Sequence, residues 1–276
     1  MALFMTGPRR LAEYFWRVWR NKRTRFVISA SILAGVLLLT QLVPFSWRYF
    51  SIAGLFLLSS LLSSWSLSEG INTWLMRLII AILPSFFSVG VALFYFLFPE
   101  SAIYQLFLLI FFAFAIYVIF LTENIFTVAS IRTIALLRAA QTVGFLVTLL
   151  TVFFWYNTIF SFRFFGWWNA LLVLLVSFPL IFQALWSADL SEKPKNNILL
   201  FSLIFSLFVG ELSLIVSFFP VNVLTGSLFL TCSVYILVGL GSAWLVGRLF
   251  HQTVREYLVV GGLMFLFLLV TTSWRG

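Results

Sequence analysis

The sequence predicts an all-α polytopic transmembrane helix bundle of about nine spans, with an N-terminal amphipathic surface helix in front. Three observations carry that prediction. Of the 276 residues, 63% are hydrophobic and 9% charged, and mean hydropathy is +1.12. A soluble domain carries about 25% charged residues, so this chain has too few charges to coat itself in water. Apolar runs of about 18 residues or more, the thickness of the hydrocarbon core, recur from residue 26 to the C-terminus. Of the 11 tryptophans, all fall within four residues of the end of such a run or in a basic helix beside one. Trp gathers at the two membrane interfaces, where its ring stays in hydrocarbon and its N–H stays wet.

Residues 1–25 read as a basic amphipathic helix. Leu11, Tyr14, Phe15, Val18 and Trp19 share one helical face, and Arg10, Arg17 and Arg20 lie largely off it. Pro8 suits the helix start. Such a helix lies on the inner leaflet, where each basic residue near anionic lipid contributes about 1 kcal/mol. It serves as an orientation anchor or as a docking helix for a cytoplasmic partner.

Residues 26–276 read as a single transmembrane domain. The spans fall at Phe26–Val43, Tyr49–Leu67, Leu78–Phe98, Ala102–Leu121, Ala139–Asn157, Gly166–Trp186, Ile198–Phe219, Val223–Gly247 and Tyr257–Trp274. The first is a retained signal anchor, because Leu42-Val43-Pro44-Phe45-Ser46 lacks a small-x-small cleavage pattern. The segment Thr122 to Arg138 reads as the longest loop, a surface-lying helix bearing Arg132 and Arg138. The polar segment Ser187 to Asn197 reads as a hinge between two halves.

Orientation follows from Lys and Arg. With the N-terminus inside, fourteen basic residues share its side: Arg9, Arg10, Arg17, Arg20, Lys22, Arg23, Arg25, Arg77, Arg132, Arg138, Lys193, Lys195, Arg248 and Arg255. Three lie opposite: Arg48, Arg163 and Arg275. This is the positive-inside bias. It accounts for the formal charge of +9 without a nucleic-acid partner. The expected location is the plasma membrane of a prokaryote, with the N-terminus cytoplasmic and the C-terminus outside.

Span seven draws the eye chemically. Glu211 is the one acid read as lying well inside a span, nine residues before Pro220 and therefore about 13 Å from the helix end. Ionisable groups at that depth are functional-site candidates. The same span carries Ser202, Ser206, Gly210, Ser213 and Ser217, which at 100° per residue fall within about an 80° arc and let another helix approach closely. Both faces of span seven need protein neighbours unless Glu211 is neutral and faces lipid, and the expectation is that span seven is central to the bundle. A tight hairpin with span eight puts Thr231, Cys232 and Tyr235 at the depth of Glu211, so Thr231 or Tyr235 is its expected hydrogen-bond partner. The candidate site is thus Glu211, Thr231 and Tyr235, either a structural polar pin or a proton-coupled or substrate-binding carboxylate.

Other span features read as packing. Gly239, Ala243 and Gly247 form one face of span eight, and Ser60, Ser64 and Ser68 one face of span two. Pro84 and Pro179 lie inside spans three and six and free the carbonyls of Ile80 and Leu175.

Enzyme signatures are missing. His251 is the only histidine and Cys232 the only cysteine, too few for a metal site. No Gly-x-Ser-x-Gly elbow or phosphate-binding Gly-rich loop occurs. A serine hydrolase built on Gly241-Ser242 and His251 has only a generic pair to stand on. No cofactor and no catalytic residue is expected, and a non-enzyme is favoured over an enzyme in which a single Glu acts on a lipid. Polar residues inside the spans are few (Gln105, Gln141, Asn169 and Gln183), which argues against a wide aqueous channel. The leading expectation is a transport or lipid-handling protein whose ligand is hydrophobic or a lipid. The alternative is a non-catalytic membrane subunit or scaffold with a membrane-protein partner. A lipid-modifying enzyme trails both.

Overall fold

The computed structural model describes residues 22–44, 47–67, 73–97, 101–129, 135–191 and 194–272. Among these the chain is all-helical without strands, and nine helices are long and apolar enough to cross a membrane. They are α1 (Lys22–Leu42), α2 (Arg48–Ser66), α3 (Trp74–Tyr95), α4 (Ala102–Ala129), α5 (Leu137–Ser161), α6 (Gly166–Asp189), α7 (Asn196–Ser217), α8 (Val223–Leu245) and α9 (His251–Thr271). The surface helix expected over residues 1–25 lies outside the described residues, apart from residues 22–25, which open α1.

Packing sorts the helices into a middle and two flanks. α3, α5 and α6 touch one another at the centre; α1, α2 and α4 pack on one side of them and α7, α8 and α9 on the other. Short connections make successive helices run in opposite directions. One end of the bundle therefore gathers Lys22, Arg23, Arg25, Arg77, Arg138, Lys195, Arg248 and Arg255, the basic end, while Arg48 and Arg163 lie at the other.

Aromatic side chains fill the middle. Phe87 of α3 stacks on Phe112 of α4 at 5.9 Å between ring centroids, and Phe94 meets Phe154 of α5 at 4.7 Å. α3 and α5 meet closely at Gly90, where a Cβ would stand 3.0 Å from Trp155 Cδ1. The bare backbone there admits the indole, whose Nε1 donates to the Phe86 carbonyl at 2.9 Å. Trp155 is thus an internal tie between helices rather than an interfacial anchor, because α5 continues to Ser161.

Three sequence expectations change. The segment from Thr122 is not a loop: α4 runs on to Ala129, so 122–129 are helix, Arg138 lies in the first turn of α5, and Arg132 lies outside the described residues. The reason is a buried stripe, Phe112, Ile116, Ile119, Phe120 and Phe126, whose helical phase runs straight through the polar triplet Thr122-Glu123-Asn124. α7 is not central either. Its serine stripe is buried, and Ser202, Ser206, Gly210 and Ser213 face the bundle as expected. Its opposite face, with Leu200, Leu207 and Ile215, is exposed. Finally, α7 packs most extensively on α6 rather than on α8. At Gly210 a Cβ would stand 3.2 Å from the Ala170 carbonyl oxygen and 3.3 Å from Leu174 Cβ, so the small stripe serves the α6–α7 contact. The short α6–α7 connection is bridged by Lys195 Nζ, which donates to Asp189 Oδ1 at 2.8 Å.

Candidate functional site

Glu211 lies midway along α7, at the depth read from sequence, but on the exposed face. No hydrogen bond joins it to Thr231 or Tyr235 among the described residues. The Thr231 hydroxyl instead donates to its own helix, at the Ser227 carbonyl, 2.8 Å away. The Tyr235 ring lies between Phe145, with centroids 5.7 Å apart, and Tyr257, at 5.1 Å. The expected triad of Glu211, Thr231 and Tyr235 is therefore not assembled, because α7 turns its small residues toward α6 and carries the carboxyl outward.

The acid inside the bundle is Glu123 of α4, which sequence reading assigned to a loop. It is fully buried, and the Gln183 Nε2 of α6 donates to its Oε1. Glu123 Oε2 and Gln183 Oε1 have no partner. Burying a carboxyl with one oxygen unmatched is expensive, and the one bond it makes links α4 to α6. Other polar side chains in the spans also join helices: Gln141 Nε2 donates to the Ser187 carbonyl at 2.9 Å, and Asn169 Nδ2 to Ser217 Oγ at 3.1 Å.

Two recesses at the basic end stand out. The first is a cleft of about 520 Å³ on the flank between α2, α3, α6 and the start of α7. Its walls include Phe56, Leu78, Ile82, Phe178, Pro179 and Phe182. Pro179 lies inside α6 there, and Pro84 lies beside Ser85 in α3. Lys195 and Asn196 sit at its mouth. It extends inward to Ser85, eleven residues into α3, or about 16 Å at 1.5 Å per residue, half of a hydrocarbon core about 30 Å thick. Ser85 lines the cleft, is 1% exposed, and its hydroxyl has no partner. Ser60 lines the facing side. The Ser64 hydroxyl donates to the Ser60 carbonyl at 2.9 Å, a local bond within α2.

The second recess, about 360 Å³, lies between the basic-end turns of α5, α6, α8 and α9 and includes Gln141, Ser187, Ser242, Arg248 and Tyr257. Two glycines build it. A Cβ at Gly239 would overlap the Tyr257 ring and hydroxyl, so only glycine lets α9 seat that tyrosine against α8. Gly247, at φ 70°, ends α8 in the left-handed region. Its N–H donates to the Trp244 carbonyl at 3.0 Å and the Arg248 N–H to the Ala243 carbonyl at 2.8 Å. That is a Schellman turn, and the residue that follows it, Arg248, lines the recess. The glycine spacing in α8, read from sequence as a packing face, thus shapes a polar pocket.

A third recess, about 530 Å³, lies toward the other end beside Ile103, Phe107 and Phe111 and is almost wholly apolar. Among the described residues no three His, Cys, Asp or Glu side chains gather closely enough to hold a metal ion.

The fold therefore defines the class as a multi-pass membrane protein built on nine apolar helices. Within that class, residues 64–271 match the model of a family described as "Protein of unknown function (DUF5656)", and the chain belongs to that family. The match takes in α3 through α9, with both basic-end recesses save the α2 wall of the larger cleft up to residue 63. No curated protein and no solved structure matches the chain.

Proposed function

We propose that the protein binds and handles a lipid-like amphiphile within a cytoplasmic (plasma) membrane, with the basic end on the cytoplasmic side. The cleft between α2, α3, α6 and α7 carries this reading. It is one leaflet deep, mostly apolar, and carries a lysine and an asparagine at its mouth. A ligand with a polar head and a hydrocarbon tail matches that gradient, whereas an ion or sugar would leave the apolar walls unmatched. Ser85, buried with an unused hydroxyl, offers one polar contact along the tail or at an ester. The basic end is assigned to the cytoplasm by the Lys and Arg bias.

The test is mass spectrometry of lipid retained after purification in mild detergent. The wild type is expected to hold lipid stoichiometrically. Leu78→Trp and Leu199→Trp, at exposed positions on the cleft rim, are expected to release it while preserving the monodisperse fold. Equal retention by the rim variants would overturn the assignment to this cleft.

Glu211 supports a second reading, a non-catalytic subunit or scaffold. A charged carboxylate at the centre of a membrane helix costs about 2.5–3.5 kcal/mol on insertion scales. Glu211 is exposed, and no hydrogen bond or ion pair joins it to another side chain among the described residues. A neighbouring membrane protein supplying a hydrogen-bond donor would remove that cost. Photo-cross-linking from a diazirine-bearing residue placed at Ile204 in native membranes checks this reading, which requires a stoichiometric adduct that Glu211→Leu abolishes. A monomeric band throughout would remove it.

A further inference from the structure

We infer that the recess between α5, α6, α8 and α9 is a binding site for a phosphate-bearing headgroup, with Arg248 as its anion contact. The site is separate from the flank cleft and does not depend on the function proposed for it. Four features carry the inference. Arg248 is exposed at the recess and has no carboxylate within ion-pair distance among the described residues. The Schellman turn at Gly247 fixes where the Arg248 backbone leaves α8, and Arg248 is among the residues lining the recess. Gln141 uses only one of its amide hydrogens, toward Ser187, and leaves a second donor in the recess. Tyr257 is seated by the missing Cβ of Gly239.

Depth identifies the ligand. Gly239 lies six residues before the end of α8, so the recess reaches about 9 Å inward from the helix ends. Arg248 is at its mouth, Gln141 and Tyr257 are partway in, and Phe145 and Val238 line the floor. That order, cation then amide and phenol then hydrocarbon, repeats the order of phosphate, ester and acyl chain in a membrane lipid. Guanidinium is suited to phosphate because its donors pair with two oxygens at once. The volume of about 360 Å³ accommodates a headgroup with its glycerol but not two full acyl chains, which would leave along the flank of α9. α9 is largely exposed along its length, with Leu268 its one buried side chain in the helix.

A lipid headgroup and a soluble phosphate ester share this chemistry, and one experiment separates them. The full chain is reconstituted into nanodiscs containing phosphatidylcholine with a minor fraction of phosphatidylglycerol. Enrichment of the anionic lipid around the protein is measured by native mass spectrometry, with and without millimolar inorganic phosphate. The expected result is enrichment in the wild type that falls about tenfold in Arg248→Gln, the factor for one lost charge-assisted hydrogen bond. It is unchanged in Arg255→Gln, a basic side chain near the recess but not among those lining it. Inorganic phosphate should not displace the lipid. Displacement by phosphate without lipid preference would keep the anion chemistry and overturn the lipid source. Equal enrichment in wild type and Arg248→Gln, or equal loss in Arg255→Gln, would overturn the site. Arg248 lies in a connection outside the helices, so its replacement is compatible with folding.

Discussion

Replacing Gln183 with Leu removes the donor that reaches Glu123 and leaves the buried carboxyl with neither oxygen bonded. Hydrogen bonds between transmembrane helices average about 0.6 kcal/mol and reach about 1.7. This one lies above that average for two reasons. Its acceptor is a fully buried carboxyl, and the other oxygen has no second partner to fall back on. Leaving a buried polar group unsatisfied costs about 1–3 kcal/mol. The expected destabilisation of Gln183→Leu is therefore about 2 kcal/mol. Glu123→Leu combined with Gln183→Leu removes both partners and replaces them with apolar volume, a change that is near neutral in cores. The double variant should recover to within about 1 kcal/mol of wild type. Unfolding in mixed detergent and dodecyl sulfate, followed by tryptophan fluorescence, measures all four corners of the cycle. If Gln183→Leu matches wild type, or if the double variant loses the sum of the two single losses, the pair does not hold α4 to α6 and the reasoning fails.

Three more perturbations discriminate among contacts. Gly239→Ala forces the Tyr257 ring off α8, so α9, whose packing is chiefly on α8, should become the most protease-sensitive helix while the remaining bundle stays folded; limited proteolysis reads this directly. Ser85→Ala removes a hydroxyl that has no partner, so the same unfolding assay should show no loss and a gain of up to about 1 kcal/mol. Trp155→Phe deletes the donor to the Phe86 carbonyl and should cost about 1 kcal/mol, seen as a lower dodecyl sulfate midpoint with an unchanged slope.

Much of the bundle was legible in sequence because hydrocarbon imposes one rule, that every span be long and apolar. All nine spans were placed on the right segments. The serine and glycine stripe of α7 was also legible, since small residues in one helical phase have few uses other than close packing. The direction of Glu211 was not. Depth follows from residue count, but which face points outward depends on which neighbour the stripe meets, and α6 rather than α8 takes that place. Glu123 was missed because Thr122-Glu123-Asn124 ends a run already long enough to span. The signal that would have found it is phase: Glu123 continues the stripe of Phe112, Ile116, Ile119 and Phe120, and Gln183 was already one of few polar residues inside a span. The Arg248 recess could not be seen from spacing alone, because Gly239 and Gly247 do different work. One admits a ring from α9, and the other sets a left-handed turn.

The central claim is that the flank cleft holds an amphiphile, and the most direct measurement is photo-cross-linking with a phospholipid carrying a diazirine in its acyl chain. After reconstitution and irradiation, peptide mass spectrometry maps the adducts. The prediction is labelling concentrated on Ile82, Phe86, Phe178 and Phe182, well above that on Leu200 and Leu207 of the exposed α7 face, and suppressed by Leu78→Trp. Labelling spread evenly over the exposed faces of the bundle, and indifferent to Leu78→Trp, would contradict it.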